Sequence, residues 1–175
     1  MQRWGMPLLA LLLIAAWPAE AELRIGFINS EIILQQYVAV ERAMETFNRD
    51  VEGWQQELEQ MSDDLESLQQ ELDHQSLMLS DERRQEKELE YQRQLTEYEK
   101  LKESIWASDG LVEQRNEELL RPIINSIQAV LEQIATEEGY DFIFDAADNN
   151  ILYGDPGYDL TDRVVETLNA EAGEQ

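Results

Sequence analysis

Apolar side chains recur every three or four residues along the first half of this chain. The series begins at Tyr37, ends at Leu79 and alternates steps of three and four, and twelve of its thirteen positions are apolar. A seven-residue repeat sustained over six heptads predicts a coiled-coil helix, which we place at residues 30–79. At 1.5 Å per residue this helix is roughly 70 Å long, too long to be buried in one small body.

A second helix with a matching repeat is predicted to follow. Ser80 is a typical N-cap residue, and Asp81 and Glu82 would occupy the first turn, where the helix dipole favours anions. We predict this helix over residues 81–138, with Gly139 as the residue that ends it. Its apolar positions also recur every seven residues, at Tyr91, Tyr98, Ile105, Val112 and Leu119.

The two repeats fit an antiparallel hairpin. Facing residues in such a pair have numbers with a constant sum. A sum near 159 brings the apolar seams together, pairing Leu68 with Tyr91, Met61 with Tyr98, Trp54 with Ile105, Phe47 with Val112, and Val40 with Leu119. The same register predicts five ion pairs, Glu71–Lys87, Asp64–Arg93, Glu57–Lys102, Arg49–Asp109 and Arg42–Glu117. An exposed pair contributes only about 0.2–1 kcal/mol, so these pairs would specify the register more than the stability.

Two residues interrupt the second helix pattern. A glycine inside a helix costs about 1 kcal/mol relative to alanine, and Gly110 therefore predicts a soft point. That soft point is either a tolerated defect or a functional hinge. Pro122 lacks a backbone N–H and is expected to kink the helix. Gly110 and Pro122 are our two hinge candidates.

Apolar segments rich in β-branched and aromatic residues flank the hairpin. We predict strands at residues 23–29, 140–145 and 150–155, followed by an amphipathic helix with Asp159 or Thr161 as its N-cap. The helix would direct Leu160, Val164, Val165 and Leu168 inward. Three short strands carry more apolar side chains than one helix can cover, so we predict oligomerisation through Ile25, Phe27, Ile28, Phe142, Ile143, Phe144, Ile151, Leu152 and Tyr153. The fold class is α+β, a long helical hairpin on a small β body.

The N-terminus has the pattern of an export signal. Arg3 precedes an apolar run over residues 6–17, and Ala19, Glu20 and Ala21 form an A-x-A cleavage site, which predicts cutting after Ala21. The alternative is a membrane anchor. The run has about twelve residues, whereas a spanning helix needs about 20. We therefore predict an exported protein.

The charge of the chain excludes some partners. It has 38 acidic and 13 basic residues, a formal net charge of −25, and no cysteine. A chain with this much negative charge repels phosphate backbones and anionic lipid. We therefore predict no nucleic-acid partner. Disulfides and thiolate sites are absent.

Catalytic, metal and cofactor sites are not expected. His74 is the only histidine and has no companion ligands in the sequence. The acidic residues Asp145, Asp148, Asp155 and Asp159 could suggest calcium, but they lack the EF-hand pattern, and we assign them to turns and caps. No nucleophile elbow, phosphate loop or paired-carboxylate motif is present, so we do not expect an enzyme.

Several segments together resemble a known family. These are "RIGFINSEIILQQY" after the export signal, "LSDERRQ" at the hairpin tip, "PIINSIQAVLEQIATEEGYDFIFD", and "YGDPGYDLTDRVVETLN". In this combination the chain is similar to the Skp/OmpH family of periplasmic chaperones. The resemblance implies a homotrimer with a shared β body, from which three hairpin tentacles project around a cavity. Unfolded outer-membrane β-barrel proteins would be held there until insertion, without nucleotide or enzymatic activity. It divides the chain into a signal peptide (1–21), the oligomerisation body (22–36 and 120–175) and the tentacle (37–119).

The arms of this chain depart from the family's best-known members, which are basic. Residues 41–109 contain 20 acidic and 8 basic residues, so direct lipid binding is doubtful. Apolar residues off the seam are the candidates for client contact, namely Leu77, Met78, Trp106 and Leu111. The alternative is that these four pack against the other helix of the hairpin.

A structural role is the main competing hypothesis. An exported coiled-coil spacer or adaptor would use the same hairpin to bind one folded partner. Suppression of client aggregation distinguishes a chaperone from such a spacer.

Overall fold

The computed structural model of the chain describes residues 22–75, 80–147 and 150–173. Its elements, in chain order, are β1 (Ile25–Ile28), α1 (Ser30–Gln36), α2 (Val38–Gln75), α3 (Asp81–Trp106), α4 (Leu111–Glu138), β2 (Phe142–Asp145), a 3-10 turn (Pro156–Tyr158) and α5 (Thr161–Gly173). The predicted export signal lies outside the described residues.

The first predicted helix is divided in two at Tyr37. This residue is extended, with φ −79° and ψ 114°, and its side chain is buried. The side chain of Asn169 on α5 accepts a hydrogen bond from the backbone N–H of Val38 at 3.0 Å and donates one to the carbonyl of Gln36 at 3.0 Å. A side chain far away in sequence therefore satisfies backbone groups that the break exposes, which is why the heptad pattern alone did not predict it.

The sheet has two parallel strands. Ile25 of β1 is the register partner of Phe142 of β2, and the pairing continues to Ile28 and Asp145. The prediction of a third strand at residues 150–155 is wrong. The chain instead turns at Asp155, whose carboxylate accepts from the N–H of Gly157 at 2.9 Å, and an isolated bridge joins Asp159 to Phe27 of β1.

The core lies between the inner side of the sheet and helices α1, α4 and α5. The predicted inward face of α5 is confirmed, because Leu160, Val164, Val165 and Leu168 are all buried. At the start of α5, Asp159 accepts from the N–H of Thr161 at 2.9 Å. The other apolar residues of this buried cluster are Ile28, Ile33, Tyr37, Ile123, Val130 and Ile134.

The helices α2, α3 and α4 form the antiparallel hairpin. The predicted N-cap is confirmed, since the Ser80 hydroxyl accepts from the N–H of Arg83, and Gly139 ends α4 in the left-handed conformation with φ 71°. The α4 helix remains helical on both sides of Pro122. The predicted soft point is a complete break at residues 107–110. Within the seam, Ile105 and Leu65 are buried and Met44 is exposed. The seam side chains that are half-buried include Phe47, Trp54, Met61, Leu68, Tyr91, Tyr98 and Val112.

The hairpin register changes across this break. Near the tip the predicted ion pair between Lys87 and Glu71 forms at 2.5 Å. The other four predicted pairs do not form, although all of their residues are described. Near the body Arg115 instead pairs with Asp50 at 2.8 Å. Between these two ion pairs the chain advances 21 residues along α2, from Asp50 to Glu71, but 28 residues along the returning arm, from Lys87 to Arg115. The residue numbers of facing pairs therefore add up to different sums near the tip and near the body.

Asp145 joins the end of β2 to the start of α1. Its carboxylate accepts from the N–H of Ser30 at 3.0 Å and from that of Ala147 at 3.0 Å. Burial raises the pKa of the Asp145 carboxyl, but the hydrogen bonds from Ser30, Ala147 and Ala146 lower it by more, so the pKa lies below its ordinary value.

The lowered pKa of Asp145 predicts an acid-dependent contribution to stability. The contribution is complete above the unfolded-state pKa, about 3.9, and is lost as pH falls through the lower folded-state pKa. We expect Asp145→Asn to unfold at lower urea concentration than the unaltered protein at pH 7, and the two midpoints to converge towards pH 2. Asp63→Asn, on the exposed side of α2, is the control and should show no such convergence. A constant difference from pH 7 to pH 2 would contradict the prediction.

Candidate functional site

The outer side of the sheet is an exposed apolar surface, which we call the outer face. Strand side chains alternate between the two sides of a sheet. Ile28 of β1 and Ile143 of β2 therefore face the core, while Ile25, Phe142 and Phe144 face outward. The rings of Phe142 and Phe144 stack with centroids 6.1 Å apart, and Phe142 is still 54% exposed.

A cavity of about 280 Å³ opens on the outer face. It lies where the segment before the 3-10 turn crosses the sheet, and it combines apolar side chains with the carboxylate of Asp155. Most of its apolar lining comes from residues that the sequence nominated for oligomerisation. The apolar lining residues are Leu23, Ile25, Phe27, Phe144, Ile151, Tyr153 and Tyr158.

Two side chains that are adjacent in sequence, one of them in the lining of the cavity, are almost fully exposed. Leu152 is 95% exposed and Tyr153 is 85% exposed. Contiguous apolar surface of this kind, open to water in a single chain, typically marks a contact with another molecule. Of the nine residues nominated for oligomerisation, Ile28 and Ile143 belong to the chain's own core, and the other seven lie on the outer face or beside it.

The residues nominated for client contact are placed differently. Trp106, the last residue of α3, is 47% exposed, whereas its neighbour Ile105 is fully buried in the seam. Leu111 begins α4 and is half-buried. Leu77 and Met78 lie outside the described residues. The structure thus leaves Trp106 available at the middle of the arm.

The sequence reasoning did not nominate several residues that the structure leaves exposed, and three of them bear on the site or the arm. Leu89 is exposed on α3, and Leu23 and Tyr158 line the cavity of the outer face. Leu23 continues the alternation of β1, and Leu89 falls outside the seven-residue repeat of Tyr91 and Tyr98. Both signals were present in the sequence. No local pattern identified Tyr158.

The surface of α2 is strongly acidic. Between Asp50 and Asp73 it carries nine carboxylates and no lysine or arginine. Asp50 and Glu71 form ion pairs with the second arm. Six others have no arginine or lysine within ion-pair distance among the described residues, namely Glu52, Glu57, Glu59, Asp63, Asp64 and Glu66. This side of the arm is a solvated anionic surface.

The described residues contain no assembled metal site. No three histidine, aspartate or glutamate side chains come together there as ligands. His74 is exposed. Asp145, Asp155 and Asp159 accept backbone hydrogen bonds in turns, and Asp148 lies outside the described residues. None of the described helices has an apolar stretch long enough to cross a bilayer.

Comparison with known proteins agrees with this architecture. A model of the family described as "Outer membrane protein (OmpH-like)" matches residues 24–168. Among solved structures, the fold is similar to a candidate outer membrane chaperone (OmpH-like) from Caulobacter crescentus, with a TM-score of 0.74, 14% sequence identity and coverage of 86% of each chain. A search of curated proteins gave no match.

Proposed function

We propose a function from one premise, that this chain belongs to the OmpH-like family, whose model matches most of its length. The proposed function is that of an ATP-independent holdase chaperone. It would bind unfolded outer-membrane β-barrel proteins and keep them soluble for insertion. The observation that carries the proposal is the combination of a long, half-buried helical hairpin with a small body whose outer face is apolar and uncovered.

The outer face supports assembly into a homotrimer. Its apolar side chains would be covered if each copy packed its outer face against the next copy. A head-to-tail contact of this kind closes into a ring of three when successive copies are rotated by one third of a turn. The projecting Leu152 and Tyr153 would then meet a neighbouring copy rather than water. Three arms leaving one shared body would enclose a hollow between them.

The arms would hold a client through many weak contacts. Exposed apolar residues such as Trp106 and Leu89 supply weak contacts, which add up when several arms engage one chain. The acidic surface of α2 would keep the loaded complex soluble and would disfavour anionic lipid. The export signal over residues 1–21 supports a periplasmic location for this activity.

A dilution experiment tests this function. An unfolded outer-membrane β-barrel protein in urea is diluted into buffer with or without the mature chain, and turbidity and light scattering are recorded. We expect turbidity to be suppressed at about one trimer per client, together with a soluble complex of the corresponding mass. An equal mass of another acidic coiled-coil protein is the control for non-specific crowding.

The same experiment separates the chaperone from the spacer hypothesis. A spacer would leave the client's aggregation unchanged, and affinity capture would instead recover one folded partner. Aggregation at the same rate with and without a fivefold excess of the mature chain would overturn the holdase proposal.

A further inference from the structure

The hairpin contains one heptad more in its second arm than in its first. The ion pairs Asp50–Arg115 and Glu71–Lys87 mark two levels along the arm, separated by 21 residues of α2 and by 28 residues of the returning chain.

The break at residues 107–110 accommodates these additional residues. It separates α3 from α4, and the fully buried Ile105 lies immediately before it. The seven additional residues make up one full heptad, so the apolar seam faces α2 both before and after the break. A displacement of α3 by seven residues would therefore replace each seam residue by the next one and leave the polar residues facing solvent.

We propose that the hairpin has two registers. In the broken register, seen here, residues 107–110 interrupt the returning arm. In the joined register these residues become helical, α3 and α4 form one continuous helix, and α3 advances one heptad, about 10 Å, towards the tip. The α4 helix stays in place, because Ile123, Val130 and Ile134 anchor it in the body core.

In the joined register, apolar contacts between α3 and α2 are replaced by apolar contacts one heptad further along α2. Tyr98 moves from the level of Met61 to that of Leu68, and Ile105 moves to the level of Met61. The ion pair between Lys87 and Glu71 is lost, while the helix gains the backbone hydrogen bonds that the break lacks. The six Cα–Cα steps from Gln75 to Asp81 can span about 20 Å when extended, which is enough for the 10 Å displacement together with an interaxial distance of about 8–10 Å.

Gly110 is compatible with both registers. A Cβ at this position in the broken register would lie 2.7 Å from the backbone oxygen of Ile105 and 2.8 Å from that of Ser104. These are backbone atoms that cannot move aside easily. Inside a continuous helix, alanine is preferred to glycine. Gly110→Ala therefore disfavours the broken register and favours the joined one.

Leu111→Pro acts in the opposite direction. Leu111 is the first residue of α4, where proline is well tolerated, and Gly110 before it is already extended, with φ −75° and ψ −178°. In the joined register the same proline would lie inside a helix and disrupt it. The two substitutions are adjacent in sequence, and we expect them to shift the populations of the two registers in opposite directions.

Cysteine cross-linking measures the register directly, since the chain has no cysteine of its own. Glu71→Cys with Lys87→Cys reports the broken register. Glu71→Cys with Gln94→Cys reports the joined register, because Gln94 is seven residues beyond Lys87. Glu71→Cys with Leu101→Cys, a further seven residues away, is the control for random opening of the hairpin.

Each pair is treated with a short bis-maleimide in the full mature chain, and products within one chain are separated from those between chains by mass. With Gly110 present, we expect both the Lys87 and the Gln94 pairs to react. We expect Gly110→Ala to raise the ratio of Gln94 to Lys87 product about fivefold or more, and Leu111→Pro to lower it by a similar factor. Helix content measured by circular dichroism establishes that each variant is folded.

Two results would overturn the two-register hypothesis. One is a yield for the Gln94 pair no higher than that of the Leu101 control in all three backgrounds, including unaltered Gly110. The other is a product ratio unchanged by both substitutions in folded protein. The hypothesis does not depend on the chaperone assignment, because both registers belong to the free arm.

Discussion

Phe144→Glu is expected to dissociate the proposed trimer into single chains. Phe144 is exposed on the outer face and lines its cavity, so a trimer formed through this surface would bury the new carboxylate without a cationic partner. Burial of an unpaired charge costs several kcal/mol per interface, and a closed ring repeats that cost at every contact. Light scattering coupled to size-exclusion chromatography should give the mass of one chain for this variant, whereas the proposed trimer predicts the mass of three chains for the unaltered protein.

The matched control is Leu89→Glu. It introduces the same charge at another exposed apolar residue, but on α3, away from the sheet. We expect its mass to equal that of the unaltered protein. If Phe144→Glu also kept the unaltered mass at micromolar concentration, assembly through the outer face would be refuted.

Leu168→Ala should cause the largest loss of stability from a single substitution in the body. Leu168 is 0% exposed and belongs to the cluster that joins α5 to α1 and α4. Truncating a fully buried leucine typically costs about 2–5 kcal/mol, because apolar contacts are lost and a cavity remains. The total stability of a domain is only about 5–15 kcal/mol, so the urea midpoint should fall steeply.

The unfolding measurement needs a fixed protein concentration, since the proposed assembly would contribute to stability by mass action. Glu166→Ala, an exposed residue two positions earlier on the same helix, is the control and should change the midpoint very little. A loss below 1 kcal/mol for Leu168→Ala would mean that α5 contributes little to the body.

Local patterns in the sequence were sufficient for the long elements. The seven-residue repeat predicted the seam of the hairpin, Ser80 predicted the start of α3, and Gly139 predicted the end of α4. Each of these signals acts within one or two helical turns. They can therefore be identified without knowing which parts of the chain meet.

The errors came from contacts between distant residues. The break at Tyr37 depends on Asn169, and the register near the body depends on how residues 107–110 connect α3 to α4. The predicted third strand failed because an apolar composition does not show whether a neighbouring strand edge is available.

For the candidate site, the sequence identified the apolar residues but not the side of the sheet they occupy. Ile25 and Ile28 have similar chemistry, yet one is exposed and the other buried. The alternation of β1 places them on opposite sides of the sheet, but only the packing of α1, α4 and α5 determines which side is covered.

The parallel pairing of β1 with β2 has a consequence for the order in which the molecule folds. Ile25 is held opposite Phe142, so 117 residues separate the partners in sequence. The hairpin arms depend on contacts within helices and across one turn, so they can form early. The first strand can pair only after nearly the whole polypeptide is available, because its partner lies close to the C-terminus. Such high contact order slows closure of the body. In a chain translocated N-terminus first, we therefore expect the helices of the hairpin to pair before β1 pairs with β2.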